Sequence, residues 1–199
     1  MSRVARRGGQ LVALSLSVAL AGCAVRGMDG LTDQQKKQAH RVEAYLNRPM
    51  TLEGHFTQVG PQGNGGAGEF TYSPGALALD YTTPHAMTLR ASGTHLVLND
   101  SQTGAVTRVS LSRNPLGLLL HEPVRFGGSI QVTNISSVPG ASQISLAQAD
   151  NPSQGLLTLR FAERDQRLVL ETLDGVDARG NHIVLSLSEV SETGASPKN

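Results

Sequence analysis

Residues 68–100 read GEFTYSPGALALDYTTPHAMTLRASGTHLVLND, and their apolar residues recur with a period of two. Phe70 and Tyr72 alternate with polar or small residues; so do Leu77, Leu79 and Tyr81, then Met87 and Leu89, then Leu96 and Leu98. Alternation of this kind gives each strand one apolar face, and the Gly, Pro, Asn and Asp clusters between the runs mark turns. The same period starts upstream at Leu52-Gly54-Phe56. It resumes downstream at Val109-Leu111, Ile130-Val132, Ile144-Leu146, Leu157-Leu159-Phe161, Leu168-Leu170 and Ile183-Leu185-Leu187. About eleven such stretches predict an antiparallel sheet curved into a closed or nearly closed barrel.

Two segments break the pattern. Thr32-Asp33-Gln34-Gln35 forms a capping box that opens a helix, Pro49 ends it, and Ala39, Val42, Tyr45 and Leu46 make one apolar stripe between them. Asn114-Pro115-Leu116-Gly117-Leu118-Leu119-Leu120 has an early Pro and a Leu cluster without alternation, which reads as a short helix with Asn114 as its cap, lying over a barrel mouth or plugging it. The glycine-rich run from Gly60 to Gly68 continues into the strand Glu69-Phe70-Thr71-Tyr72. It therefore lacks the following helix that a phosphate-binding loop needs and reads as a hairpin loop.

The amino-terminal region carries an address. Arg3, Arg6 and Arg7 precede a largely apolar run from Leu11 to Gly22, too short for a spanning helix, and Leu20-Ala21-Gly22-Cys23 matches the bacterial lipobox, with the chain's single cysteine in last place. The division expected is a signal peptide at 1–22, a lipidated amino terminus and tether at 23–31, a globular domain at 32–190 and a disordered tail at 191–199. One cysteine allows no intrachain disulfide. Acyl chains on Cys23 would hold the protein to a membrane at ~0.8 kcal/mol per buried methylene. Ala24 is not the aspartate associated with inner-membrane retention, so the expected location is the periplasmic side of the outer membrane, with a soluble periplasmic protein as the alternative.

Charge and motif content exclude several classes. Three of the 17 basic residues and none of the 16 acidic ones precede Cys23, so the rest of the chain is slightly acidic, and with no Trp and only seven Phe and Tyr it lacks the basic, aromatic stripe of a nucleic-acid binder. The histidines at 40, 55, 85, 95, 121 and 182 make no ligand pair, and His121-Glu122 is followed by Pro123 rather than by a second histidine in zinc-protease register. No Gly-x-Ser-x-Gly elbow occurs. The expectation is a protein with no catalytic residues, no metal and no cofactor.

From Leu52 to about Val190 the chain resembles the periplasmic lipoprotein carriers of Gram-negative bacteria, the LolA-like proteins of the LolA/LolB superfamily. The residues that carry the resemblance are Gly54-His55-Phe56-Thr57-Gln58, Gly68-Glu69-Phe70, Ser73-Pro74-Gly75, Leu79-Asp80-Tyr81 with Pro84, Asn114-Pro115-Leu116, Leu157-Thr158-Leu159-Arg160-Phe161 and Leu173-Asp174-Gly175. The resemblance implies an incomplete, open antiparallel β-barrel covered by a lid of short helices and enclosing an apolar cavity for acyl chains. It implies acylated lipoproteins as cargo, an inner-membrane lipoprotein-release complex as a partner, and a monomer. Two departures stand out: the family's latch arginine is missing, with Ser73 and Ala78 in its neighbourhood and Arg90 the nearest downstream, and the turn Thr82-Thr83-Pro84-His85 lacks the protruding leucine of the anchored receptors.

The residues expected to line the cavity are Phe56, Phe70, Tyr72, Leu79, Tyr81, Met87, Leu89, Leu96, Leu98, Leu116 and Leu119. Three functions stay open on the sequence: a tethered lipoprotein carrier or receptor, a tethered module for free lipid or another hydrophobic ligand, and a structural envelope lipoprotein whose barrel is filled by its own side chains.

Overall fold

The computed structural model describes residues 28–194. The leader, the lipobox with Cys23 and the last five residues lie outside the described residues. The chain runs α1 (Asp33–Leu46), β1 (Met50–Val59), β2 (Gly65–Ser73), β3 (Ala76–Thr83), β4 (Met87–Ser92), β5 (His95–Asp100) and β6 (Val106–Ser110). It continues with α2 (Leu116–Leu119), β7 (Ile130–Val138), β8 (Ala141–Gln148), β9 (Gly155–Arg164), β10 (Arg167–Asp177) and β11 (His182–Gly194). All eleven alternating stretches fall in or at the end of a strand.

The strands form one antiparallel sheet in the order β6-β5-β4-β3-β2-β1-β11-β10-β9-β8-β7. The sheet is open, with β6 and β7 as its two edges, and two meanders meet where β1 pairs with β11 at its centre. Turn chemistry sets the hairpins. Gly75, Gly93 and Gly140 take positive φ between successive strands, and Asp165 and Gln166 both do so in the two-residue turn joining β9 to β10. Bulges bend the sheet: the β1–β11 register shifts between Glu53 and His55, and the β9–β10 register shifts between Leu170 and Thr172. At the first of these, a Cβ on Gly54 would stand 2.7 Å from the Ser188 carbonyl oxygen, so only glycine fits there.

Helix α1 covers part of the concave face. Thr32 accepts from the Gln35 amide while the Gln35 side chain accepts from the Thr32 amide, closing the capping box. The stripe Ala39, Val42, Tyr45 and Leu46 is buried, and Tyr45 meets inward-facing Phe161 edge to face at 5.3 Å. Full burial of side chains of this size contributes roughly 1.5–3 kcal/mol each. The Tyr45 hydroxyl also accepts from the amide of Leu170, the residue beside the β10 bulge. At the helix end, Asn47 donates to the Val124 carbonyl and accepts from the Val124 amide, tying α1 to the segment that follows α2.

The segment 111–129 spans the gap between β6 and β7. Leu111, Leu118, Leu119, Leu120 and Val124 are buried in it, and Gln148 at the end of β8 donates to the Ser112 carbonyl. The Asn114 carboxamide caps the turn by accepting from the Leu116 amide at 2.9 Å. Ser191 to Gly194, expected in a disordered tail, are instead the end of β11, because Met50, Thr51 and Leu52 present a free strand edge that Gly194, Thr193 and Glu192 pair with.

Candidate functional site

α1 and the 111–129 segment cover the concave face unevenly. Over β7 to β10 the inward residues Val132, Ile144, Leu146, Leu159 and Phe161 are fully buried, whereas over β4 and β5 Met87, Leu89, Leu96 and Leu98 remain half-exposed. Above that uncovered part lies a cavity of about 520 Å³, within the ~300–1,000 Å³ typical of sites for small hydrophobic ligands. Its wall is Leu77, Leu79 and Tyr81 of β3, Met87 and Leu89 of β4, and Leu96 and Leu98 of β5 on one side. Leu157, Leu173, Ile183 and Leu185 face them from β9 to β11, with Pro115 and Leu116 alongside.

The mouth follows from the topology. Antiparallel alternation brings the β1–β2, β3–β4 and β10–β11 connections to one end of the sheet, and they supply Gly60, Pro61 and Asn64, then Pro84, then Asp177 and Asn181; Gln58 and Asn114 complete the rim. Apolar walls with a few polar groups at the opening suit an amphiphile with its chain inside and its head in water.

Tyr81 shapes the wall. Its ring stands edge-on to Phe56 at 4.9 Å, and its hydroxyl donates to Gln58 Oε1 at 2.6 Å. Gly66 and Gly68 make room for it: a Cβ on Gly66 would sit 2.8 Å from the ring, and one on Gly68 would run into the Asp80 carbonyl oxygen. Burial pushes the Tyr81 phenol up to about 12, so it stays a neutral donor.

Seven of the residues expected in the cavity come together on its wall: Leu79, Tyr81, Met87, Leu89, Leu96, Leu98 and Leu116. Phe56, Phe70, Tyr72 and Leu119 lie instead in the packed core, each at most 2% exposed. Phe56 stands behind Tyr81, and Phe70 closes against Gly54. Sequence reasoning missed Leu77, Leu157, Ile183 and Leu185, whose alternation was visible but whose position relative to the helices was not, and Leu173, which lies past the β10 bulge and outside the alternating stretches. It also missed the polar rim, which only the folded hairpins assemble. Arg90 does not replace the missing latch: it pairs with Asp80 at 2.6 Å and donates to the Leu79 and Leu89 carbonyls, and it is not on the cavity wall.

A second depression of about 770 Å³ lies over the β6–β7 gap and carries Ser112, His121, Glu122, Gln148 and Asp150 on its walls. Among the described residues, no group of three His, Cys, Asp or Glu side chains is placed to hold a metal, and no helix is long and apolar enough to cross a membrane.

The fold is an open antiparallel half-barrel with an apolar pocket on its concave face. The chain belongs to the outer membrane lipoprotein carrier protein LolA family, whose profile matches residues 48–199. A comparison with curated proteins found no match. Among solved structures, an uncharacterized conserved protein from Thermus thermophilus is 10% identical, with 82% of this chain and 90% of that one covered and a TM-score of 0.45. A LolA superfamily protein from Nitrosomonas europaea is 13% identical, with 77% and 92% covered and a TM-score of 0.36. The lipoprotein LppX from Mycobacterium tuberculosis is 11% identical, with 84% and 99% covered and a TM-score of 0.38.

Proposed function

We propose that this protein is a membrane-tethered carrier or receptor that takes the acyl chains of a lipoprotein into its cavity and passes them toward the outer membrane, without catalysing a reaction. The observation that carries this reading is the uncovered apolar wall of β4 and β5 in a member of a lipoprotein carrier family. If a methylene takes up about the ~30 Å³ of a water molecule in the liquid, a cavity of about 520 Å³ has room for on the order of one long acyl chain. Each methylene moved from water to the wall contributes about 0.8 kcal/mol. Hand-over then needs no ATP: cargo moves to whichever partner holds its chains more tightly.

The same proposal includes the amino-terminal address. Cleavage before Cys23 and acylation of its thiol would leave a tether leading to Met28 and Leu31, whose side chains pack against the core, and the carrier domain would follow to the end of β11. The intact mass of protein purified from membranes checks this part; an unacylated Cys23 contradicts it.

The test of the binding function is titration of a fluorescent fatty-acid probe into purified protein carrying Cys23→Ser, followed by competition with a triacylated lipopeptide. Saturable binding displaced by the lipopeptide is expected. A probe that never binds identifies a barrel filled by its own side chains.

A further inference from the structure

We infer that the mouth of the cavity selects uncharged acyl esters and amides over anionic lipids; this rests on the acyl-binding reading above. The rim carries oriented carboxamides. The Tyr81 hydroxyl occupies Gln58 Oε1, which leaves the Gln58 amino group as the end offered to a ligand. The Leu116 amide, which can only donate, occupies Asn114 Oδ1 and turns the Asn114 amino group outward in the same way. Among the described residues no acceptor for either amino group is found within hydrogen-bond distance. Two neutral donors at the top of an apolar pocket match the carbonyl oxygens of an acyl ester or amide, whose chain would point down the wall.

The third group works in the opposite direction. Asn181 donates through Nδ2 to Asp177 Oδ2 at 2.8 Å, leaving its own carbonyl free to accept from a hydroxyl or amide N–H of the ligand head. Asp177 takes further bonds from the Arg179 and Asn181 amides, and these bonds, led by the Asn181 side chain, hold its carboxyl below the ordinary value, so the rim keeps a negative charge. Among the described residues it is the one charged side chain on the cavity wall. Arg113 and Arg179, the nearest cations in sequence, are exposed and not part of the wall. Arg179 acts on Asp177 from outside the wall, so a fatty-acid carboxylate or a lipid phosphate entering here would meet a like charge and no cation on the wall itself. A glyceride or N-acyl group would meet donors, an acceptor and no penalty.

The experiment preloads the full-length protein carrying Cys23→Ser with an uncharged probe, the methyl ester of the fluorescent fatty acid, and displaces it at pH 8 with competitors sharing one sixteen-carbon chain: 1-palmitoylglycerol, N-palmitoylethanolamine, palmitate and palmitoyl-lysophosphatidylglycerol. The neutral pair is expected to displace at about tenfold lower free concentration than the anionic pair, the scale of one net hydrogen bond. Asp177→Asn should narrow that gap to about threefold by helping the anions alone. Asn114→Asp, which can still accept from Leu116, should weaken the neutral competitors about tenfold. Anions displacing as well as neutral lipids, with both substitutions silent, overturn the head-group preference while leaving an acyl cavity in place. Failure of the probe to bind at all overturns the preference together with the acyl-binding reading.

Discussion

The chain has three tyrosines, and burial raises the phenol of each: Tyr45 and Tyr81 to about 12, Tyr72 further still. A folded-state value above the unfolded one means that between about pH 10 and 12 the folded protein keeps protons that the unfolded chain releases. Stability is therefore full below pH 10 and falls as pH rises through that window. The tyrosinate absorbance near 295 nm should stay flat past pH 10 and then rise together with loss of the far-ultraviolet dichroism. A step near pH 10 with the dichroism intact contradicts this placement of the rings. Gly68 is the position where a single methyl group does most harm, because a Cβ there overlaps the Asp80 carbonyl oxygen in the neighbouring strand. Gly68→Ala should cost more than about 3 kcal/mol, read from the urea midpoint, since backbone rather than a flexible side chain must give way.

At the scale of elements, α1 is held at both ends by polar bonds and along its length by its apolar stripe. Thr32→Ala removes the capping box and should cost about 1 kcal/mol. Tyr45→Phe keeps the contact with Phe161 but removes the bond to the Leu170 amide beside the β10 bulge, which should cost about 0.5–1.5 kcal/mol in thermal or urea melts. The helix was legible because its signals are local: a cap, a stop and a stripe. The strands were legible for the same reason, down to Leu111 at the end of β6. Bulges were not. Alternation shifts phase after Leu170, so Leu173 rather than Thr172 faces inward, and nothing in the local sequence announces the slip. The end of β11 was missed because its last residues are polar and pair with a strand far away in sequence, Met50 to Leu52.

At the scale of the molecule, periodicity identified the inward face and could not say how much of it would be empty. Phe56 and Leu98 alternate alike, yet one lies under Tyr81 and the other faces open space, because α1 and the 111–129 segment cover only part of the sheet. A hollow can be filled without loss of packing elsewhere. Leu96→Trp, on the half-exposed part of the wall, should leave the melting temperature nearly unchanged and lower probe affinity more than tenfold. A large drop in stability would show that the space is already occupied by core. Bound ligand should conversely raise stability by about 2.7 kcal/mol at a hundredfold excess over its dissociation constant.

The pairing of β1 with β11 at the centre of the sheet also governs how the molecule is assembled. The strands from β1 to β6 and from β7 to β11 can zip locally as they are made, each hairpin following the last. The seam between the two halves joins residues more than a hundred positions apart and closes only when the final thirteen-residue strand is available. Until then β1 and β10 both offer bare edges, with the greasy concave face uncovered beside them. The newborn chain is therefore at its stickiest just before β11 emerges, and that strand acts as the zipper pull that turns two ribbons into one shell.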